Sequence, residues 1–308
     1  MKNINPTYDL IGDIHGQADA LRGLLAQLGY REERGAFRHP ERTAIFVGDF
    51  IDRGPRIRET LRIVRAMVDA GSALAVMGNH EYDAVCLHTE NGSGGWVMER
   101  SAAKMSYHRS TLDDFYGIEA EWREWLGWMK ALPLALDLGG LRVAHAMWSD
   151  AAVAGLPRTI DDDWLRASRV RGTNESAAAR ALLKGREVEL PEGCTFIDKA
   201  GNAHGEVRVR WWLDPAGLTY FAACLPQSDA MPDVPIPTAL IDGWRPYAPD
   251  APPVFIGHYW LPGPPELLAP NVACVDYSVA KGGPLVAYRW NGERELRAEN
   301  FVCGPRGV

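Results

Sequence analysis

The 308-residue sequence has no paired cysteine motif: Cys86, Cys194, Cys224, Cys274 and Cys303 are odd in number, scattered and never spaced CxxC. This excludes a zinc ribbon and argues against a disulfide framework, so the thiols read as reduced, mostly buried and cytoplasmic. Positive charge is also in short supply. Lys and Arg number 33 against 40 Asp and Glu, a formal charge of −7 with a pI near 5.7. Such a balance gives no long-range pull toward nucleic acid or an anionic membrane, so neither is expected as a partner. No apolar run approaches the ~18 residues of a membrane span. Residues 1–6 carry no apolar leader, and internal repeats are absent. An anionic substrate must therefore be attracted locally.

What is present is ample apolar material, 46% of the chain, enough for a sizeable core. "YDLIGD" (8–13) reads as a buried strand, and 16–30 as a helix with Ala20, Leu21, Leu24, Leu25 and Leu28 on one face, closed by Gly29. "TAIFVGD" (43–49), a helix over 57–70 and "ALAVMGN" (73–79) continue a strand–helix–strand rhythm that predicts a parallel sheet with right-handed crossovers. "TENGSGGW" (89–96) is a loop, and 119–133 a helix whose Trp122, Trp125, Leu126, Met129 and Leu132 stripe is core. Residues 134–146 form a hairpin turning at Gly139-Gly140. From 149 to about 252 the chain is less regular, with a capped helix over 174–185, a strand over 206–212 and a proline-rich coil over 226–253. Three further strands follow.

Five apolar runs end on groups that bind metal or move protons: Asp13/His15, Asp49, Asn79/His80, His145 and His258. In an open α/β sheet such groups converge beyond the carboxyl ends of the strands. Two Asp, one Asn and three His offer mixed oxygen and nitrogen donors, which suit Mn²⁺, Fe²⁺, Zn²⁺ or Co²⁺ and disfavour Ca²⁺. Gly12, Gly16, Gly48, Gly78 and Gly257 flank these positions, where bulk would block close approach.

"GDIHG" (12–16), "GDFIDRG" (48–54) and "GNHE" (78–81) resemble the three signature motifs of the calcineurin-like metallophosphoesterases, in their phosphoprotein phosphatase branch. "NGSGGW" (91–96) and "VFIGH" (254–258) are similar to segments of the phage lambda and bacterial serine/threonine phosphatases. The resemblance covers most of 8–148 and 253–290 and leaves 149–252 as an insertion without a match in one domain spanning 1–308. It implies a four-layer α/β/β/α sandwich and a dinuclear metal centre of Mn, or of Fe, Zn, Co or Ni. Asp13 and His15 would hold the first metal, Asp49 would bridge, and Asn79, His145 and His258 would hold the second. Asp52 and His80 would form the catalytic Asp–His dyad, with Arg53 and Asn79 binding phosphate. The implied reaction is phosphomonoester hydrolysis by in-line attack of a hydroxide shared between the metals, on a phosphorylated protein (Ser/Thr, also Tyr) or a small phosphoester. Hydrolysis of diadenosine tetraphosphate or another nucleotide polyphosphate is the alternative on the same metals, and a catalytically inactive binding module is the rival from another class.

The charges agree with this reading. Two divalent ions outweigh two carboxylates and, with a shared hydroxide, leave the site at about +1 in an acidic protein. His80, oriented by Asp52, is placed to protonate the departing oxygen. In "GHYW" (257–260) Trp260 occupies the place of a further His ligand found across the wider superfamily, and an indole N–H cannot ligate. His39, His88, His108 and His204 fit no motif and read as surface or core residues. Glu206, Arg208 and Arg210 share a strand face, from which Arg210 is taken as the second phosphate-binding arginine. Tyr277 in "VDYS" is expected at the mouth of the site.

Overall fold

The computed structural model describes residues 6–197 and 203–308. The polar segment 1–5, read above as carrying no leader, lies outside the described residues. Two five-stranded sheets dominate. One runs from edge to edge as Phe301–Arg306, Pro284–Trp290, Tyr8–Ile11, Thr43–Phe46 and Ala73–Ala75; the other as Leu267–Ala269, Val272–Cys274, Val254–Ile256, Arg142–Ala144 and Ala135–Asp137. Each has three adjacent parallel strands, running from the centre to the Ala73–Ala75 edge in the first sheet and occupying the middle of the second, and the remaining strands pair antiparallel. The parallel strands carry the chain toward a common end.

Strand alternation explains the layering. Leu10, Ile45 and Val47 of the first sheet pack with Val143, Phe255 and Ala273 of the second in one apolar cluster between the sheets. Their neighbours Ile11, Ala44, Phe46, Ala144, Val254, Ile256 and Cys274 point the other way, into the clusters under the helices. Side chains two apart share a face, so buried runs of this kind require cover on both sides. The cover on the first sheet is Ala18–Leu28, ended by Gly29 in a left-handed turn (φ 94°), and Ile57–Asp69. On the second it includes Asn174–Lys184, capped by the Thr173 hydroxyl. The result is the α/β/β/α sandwich. Trp122, Trp125 and Met129 of Glu119–Lys130 are buried, as their helical spacing predicts.

The strand expected over 206–212 stops early: Glu206–Arg208 pairs with Glu187–Glu189, and beyond it Val209 makes a lone bridge to Cys224. Trp211 and Trp212 are both buried, which an alternating strand with one wet face cannot arrange, and the chain turns at Arg210 to seat them. The proline-rich coil is not bare surface. Met231, Ile236 and Trp244 join Val188, Val207, Tyr220 and Cys224 in a small apolar cluster of their own. Among the described residues no helix is long and apolar enough to cross a membrane, and all five cysteines are unpaired.

Candidate metal centre and active site

Every motif residue lies just beyond the carboxyl end of a parallel strand. Asp13 and His15 follow Tyr8–Ile11, and Asp49, Asp52 and Arg53 follow Thr43–Phe46; Asn79 and His80 follow Ala73–Ala75. His145 follows Arg142–Ala144 and His258 follows Val254–Ile256, so both sheets contribute to one rim. The backbone there is strained. Among the described residues eight non-glycine positions have positive φ, and seven of them are His15, Asp49, Asp52, Arg53, His258, Trp260 and Ser278. Each such conformation costs about 1–3 kcal/mol, and their concentration at one rim marks it as a site. Close approach is also built in: a Cβ on Gly78 would overlap Asp49 Oδ1, and one on Gly257 would overlap Asp13 Oδ1.

Donor atoms converge on Asp49. Its Oδ2 is 3.5 Å from His15 Nε2, 3.4 Å from His145 Nε2 and 3.9 Å from His80 Nε2. Asn79 Oδ1 is 3.0 Å from His145 Nε2 and 2.7 Å from His258 Nδ1. Two compact groups result, His15/Asp49/His80 and Asp49/His145/His258, with Asp49 common to both. Asp13 stands beside them, its Oδ2 accepting the His258 amide at 3.0 Å and its Oδ1 buried with no partner.

These residues fit metal ions. His15 Nδ1 donates to Ile51 O at 2.9 Å and His145 Nδ1 to Val47 O at 2.8 Å, which leaves both Nε2 atoms as bare lone pairs. His145 Nε2 thus faces Asn79 Oδ1, and His15 Nε2 faces Asp49 Oδ2, acceptor against acceptor. Such pairs need a cation between them or an added proton. His15 Nε2 and His258 Nε2 are buried without any partner. Burial, with Arg53 and His80 adding to it, pushes His15 down to about 3, and burial with Arg208 pushes His258 well below the usual range, so both imidazoles stay neutral and able to ligate. Burial and the charges of Asp276 and Asp49 push Asp13 well above the ordinary carboxylate range, a repulsion that a divalent cation would relieve.

Beside this cluster lies the dyad. Asp52 is fully buried, and its Oδ2 accepts from His80 Nδ1 at 2.6 Å. Arg53 Nη2 is 3.2 Å from His80 Nε2; a guanidinium can only donate, so Nε2 accepts and the ring proton sits on Nδ1, toward Asp52. Burial opposes charge on Asp52, yet the hydrogen bonds from His108 and His80 hold its pKa well below the usual carboxylate range. Burial likewise opposes charge on His80, and Asp49 with the Asp52 hydrogen bond raises it. The cluster opens on a cavity of about 540 Å³ whose lining includes Arg53, Lys104, Lys184, Arg208 and Lys281.

Four residues that the motif reading leaves without a role are placed here. Glu81 accepts from four backbone N–H groups, those of Asp49, Phe50, Ile51 and Gly78, at 2.7–3.2 Å, and so holds the bridging loop. Burial and Asp49 push its pKa up to about 7, against the pull of those N–H donors. Asp276, at the end of Val272–Cys274, accepts the amides of Trp260 and Ser278 and fixes the turn after His258. Its signal, an apolar run ending in Asp, is the same one that marks Asp13. His108 hydrogen-bonds Asp52. The fourth is Arg208. It lines the cavity, with Nη1 3.5 Å from His258 O, whereas Arg210 bonds Gln227 Oε1 at 3.1 Å and does not line it. The premature end of the strand at Arg208 separates the two arginines and leaves Arg210, expected as the second phosphate-binding arginine, outside the cavity lining. Tyr277 is also displaced from expectation: it is buried, and its hydroxyl accepts the Glu266 amide at 2.9 Å, away from the mouth.

The sequence model of the calcineurin-like phosphoesterase family matches residues 7–223. The chain belongs to that family. The match continues into the segment after 149 that the motifs leave unassigned. Over 299 residues, 91% of this phosphoesterase and 87% of the relative, it is 26% identical to a symmetrical bis(5'-nucleosyl)-tetraphosphatase of Ralstonia nicotianae. It is 47% identical over 74 residues to the asymmetrical bis(5'-nucleosyl)-tetraphosphatase PrpE of Halalkalibacterium halodurans, a stretch spanning 24% of this chain and only 30% of that relative. Among solved structures it is similar to a serine/threonine phosphatase of Saccharomyces cerevisiae, with 14% identity, a TM-score of 0.48, and coverage of 99% of this chain and 81% of the other.

Proposed function

We propose that this phosphoesterase is a dinuclear-metal hydrolase of phosphate esters and anhydrides whose substrate is a nucleotide polyphosphate. One observation carries the reading: a buried set of unsatisfied ligand atoms opens on a cavity lined by Arg53, Lys104, Lys184, Arg208 and Lys281 together with Asp83, Glu187 and Glu206, where Lys184 lies 3.8 Å from Asp83 and Arg208 3.9 Å from Glu187. A single phosphoryl group is matched by Arg53 and the metal cluster; additional phosphates would draw Lys184 and Arg208 away from their carboxylate partners. The tetraphosphatase names of its relatives point the same way.

Asp13, His15 and Asp49 would hold one divalent ion, and Asp49, Asn79, His145 and His258 the other. Manganese suits this donor set, as do iron, zinc, cobalt and nickel. When bound, such ions make water acidic enough to attack at neutral pH and withdraw charge from phosphoryl oxygens. Arg53 leaves His80 for the phosphoryl oxygens and forms charge-assisted hydrogen bonds there. Freed of that donor, His80 would take up a proton from solvent at Nε2 and pass it to the departing oxygen, while Asp52 keeps Nδ1–H in place. Glu81 and Asp276 hold the loops that present Asp49 and His258. Residues 149–252, into which the family match extends as far as 223, would belong to the same single domain, and Arg208 and Phe196 from this segment line the cavity. The five unpaired cysteines suit a cytoplasmic setting.

A second reading, a phosphoprotein phosphatase, rests on the Asp52–His80–Arg53 arrangement, which serves a phosphomonoester equally well. Mn²⁺-loaded protein offered diadenosine tetraphosphate and a phosphopeptide separates the two. Faster release of nucleotides is expected; faster release of phosphate from the peptide reverses the order of the readings.

A further inference from the structure

We propose that His108 is a positioning residue of the active site: by sharing the Asp52 carboxylate with His80, it locks that carboxylate in the orientation that turns His80 Nε2 into the cavity. The inference rests on the function proposed above for His80.

Asp52 lies behind both rings. It is fully buried and absent from the cavity lining, whereas His80 and His108 both line it. His80 Nδ1 sits 2.6 Å from Oδ2; His108 Nδ1 sits 2.8 Å from Oδ2 and 3.0 Å from Oδ1. The Thr111 hydroxyl donates to Oδ1 at 2.5 Å and accepts the Asp52 amide at 2.9 Å. An ionised carboxylate only accepts, with about four lone-pair positions. Two imidazole N–H groups and a hydroxyl therefore fill most of them, and both rings are forced into the Nδ1–H tautomer. His108 joins the short helices Ala102–Tyr107 and Arg109–Asp114, so it and Thr111 approach Asp52 from a segment separate from His80's helix. Without the His108 N–H the carboxylate keeps only Thr111 opposite His80 and gains freedom to rotate. The imidazole that moves the proton would then be held less often in its working direction.

The test uses Mn²⁺-loaded wild type, His108→Leu and His108→Asn, with an alkyl phosphate and p-nitrophenyl phosphate as substrates. The Asn amide sits as many bonds from Cα as His Nδ1 and restores the donor; Leu removes it. For Leu, kcat on the alkyl phosphate should fall about 10- to 100-fold, the scale for a lost hydrogen bond that orients an active-site group. The loss on p-nitrophenyl phosphate should be only a few-fold, since its leaving group needs little protonation, with KM and bound metal near wild type and a lower melting temperature from the hydrogen bond lost at buried Asp52. The Asn variant should recover to within about fivefold of wild type. Wild-type kcat in the Leu variant, equal losses on both substrates, or an Asn variant no better than Leu while folded would each overturn the proposal. Failure of metal-loaded wild type on both of these substrates and on diadenosine tetraphosphate would instead refute the proposed function.

Discussion

The Arg53 guanidinium carbon lies 3.7 Å from the centroid of the Trp260 ring, and Lys281 Nζ lies 4.8 Å from the same centroid. Trp260 has a positive φ of 54°, and its amide is tied to Asp276 Oδ2 at 2.7 Å, so the indole is a fixed surface against which the phosphate-binding arginine rests. At the position where the wider superfamily carries another metal ligand, this chain therefore carries a platform for Arg53.

Trp260→Ala should raise KM about 2- to 30-fold, the range of a partly desolvated cation–π contact, while bound metal stays at two ions per chain. Trp260→Phe should sit between Ala and wild type. Atomic absorption with steady-state kinetics checks both points; loss of a metal from the Phe variant would make Trp260 a support of the metal site instead.

The two arginines separated by the end of the 206–208 strand should behave differently. Arg208→Ala should raise KM for diadenosine tetraphosphate about 10- to 100-fold, the loss of one charge-assisted hydrogen bond. Arg210→Ala should stay within about threefold, since Arg210 meets Gln227 outside the cavity. Equal effects would return Arg210 to the site.

This pair shows where the sequence is legible and where it is not. Strand ends are visible because an apolar run cannot tolerate Asp13, Asp49, His145 or His258 unless they leave the core, and parallel topology sends them all to one rim. The same rule reaches Asp276. Arg208 and Arg210 have equal parity on a seven-residue strand, and only the burial of both Trp211 and Trp212 ends that strand early. His108 has no strand end to mark it; its contact with Asp52 spans 56 residues and depends on how two short helices pack. Glu81 stands inside "GNHE", but its four backbone partners appear only when the loop after Val47 folds over it.

His80→Asn should lower kcat on an alkyl phosphate by about 10²–10⁴, the usual contribution of general acid–base catalysis. The drop on p-nitrophenyl phosphate should be smaller, and metal content should be unchanged. Identical losses on the two substrates would remove His80 from proton transfer.

Glu81→Gln turns one of two accepting oxygens into a donor facing backbone N–H groups. Leaving these unsatisfied should cost about 1–3 kcal/mol of stability, read as a lower midpoint in urea with unchanged slope. A midpoint equal to wild type would show that the bridging loop holds its shape without the Glu81 carboxylate.

The sharing of Asp49 by two metal sites, proposed above, is tested most directly by counting metal. Isothermal titration of metal-free protein with Mn²⁺ should give two ions per chain for wild type. Asp49→Asn should lose more than one equivalent and all measurable turnover. An Asp49→Asn variant that still binds two ions and hydrolyses at a near wild-type rate would contradict the account.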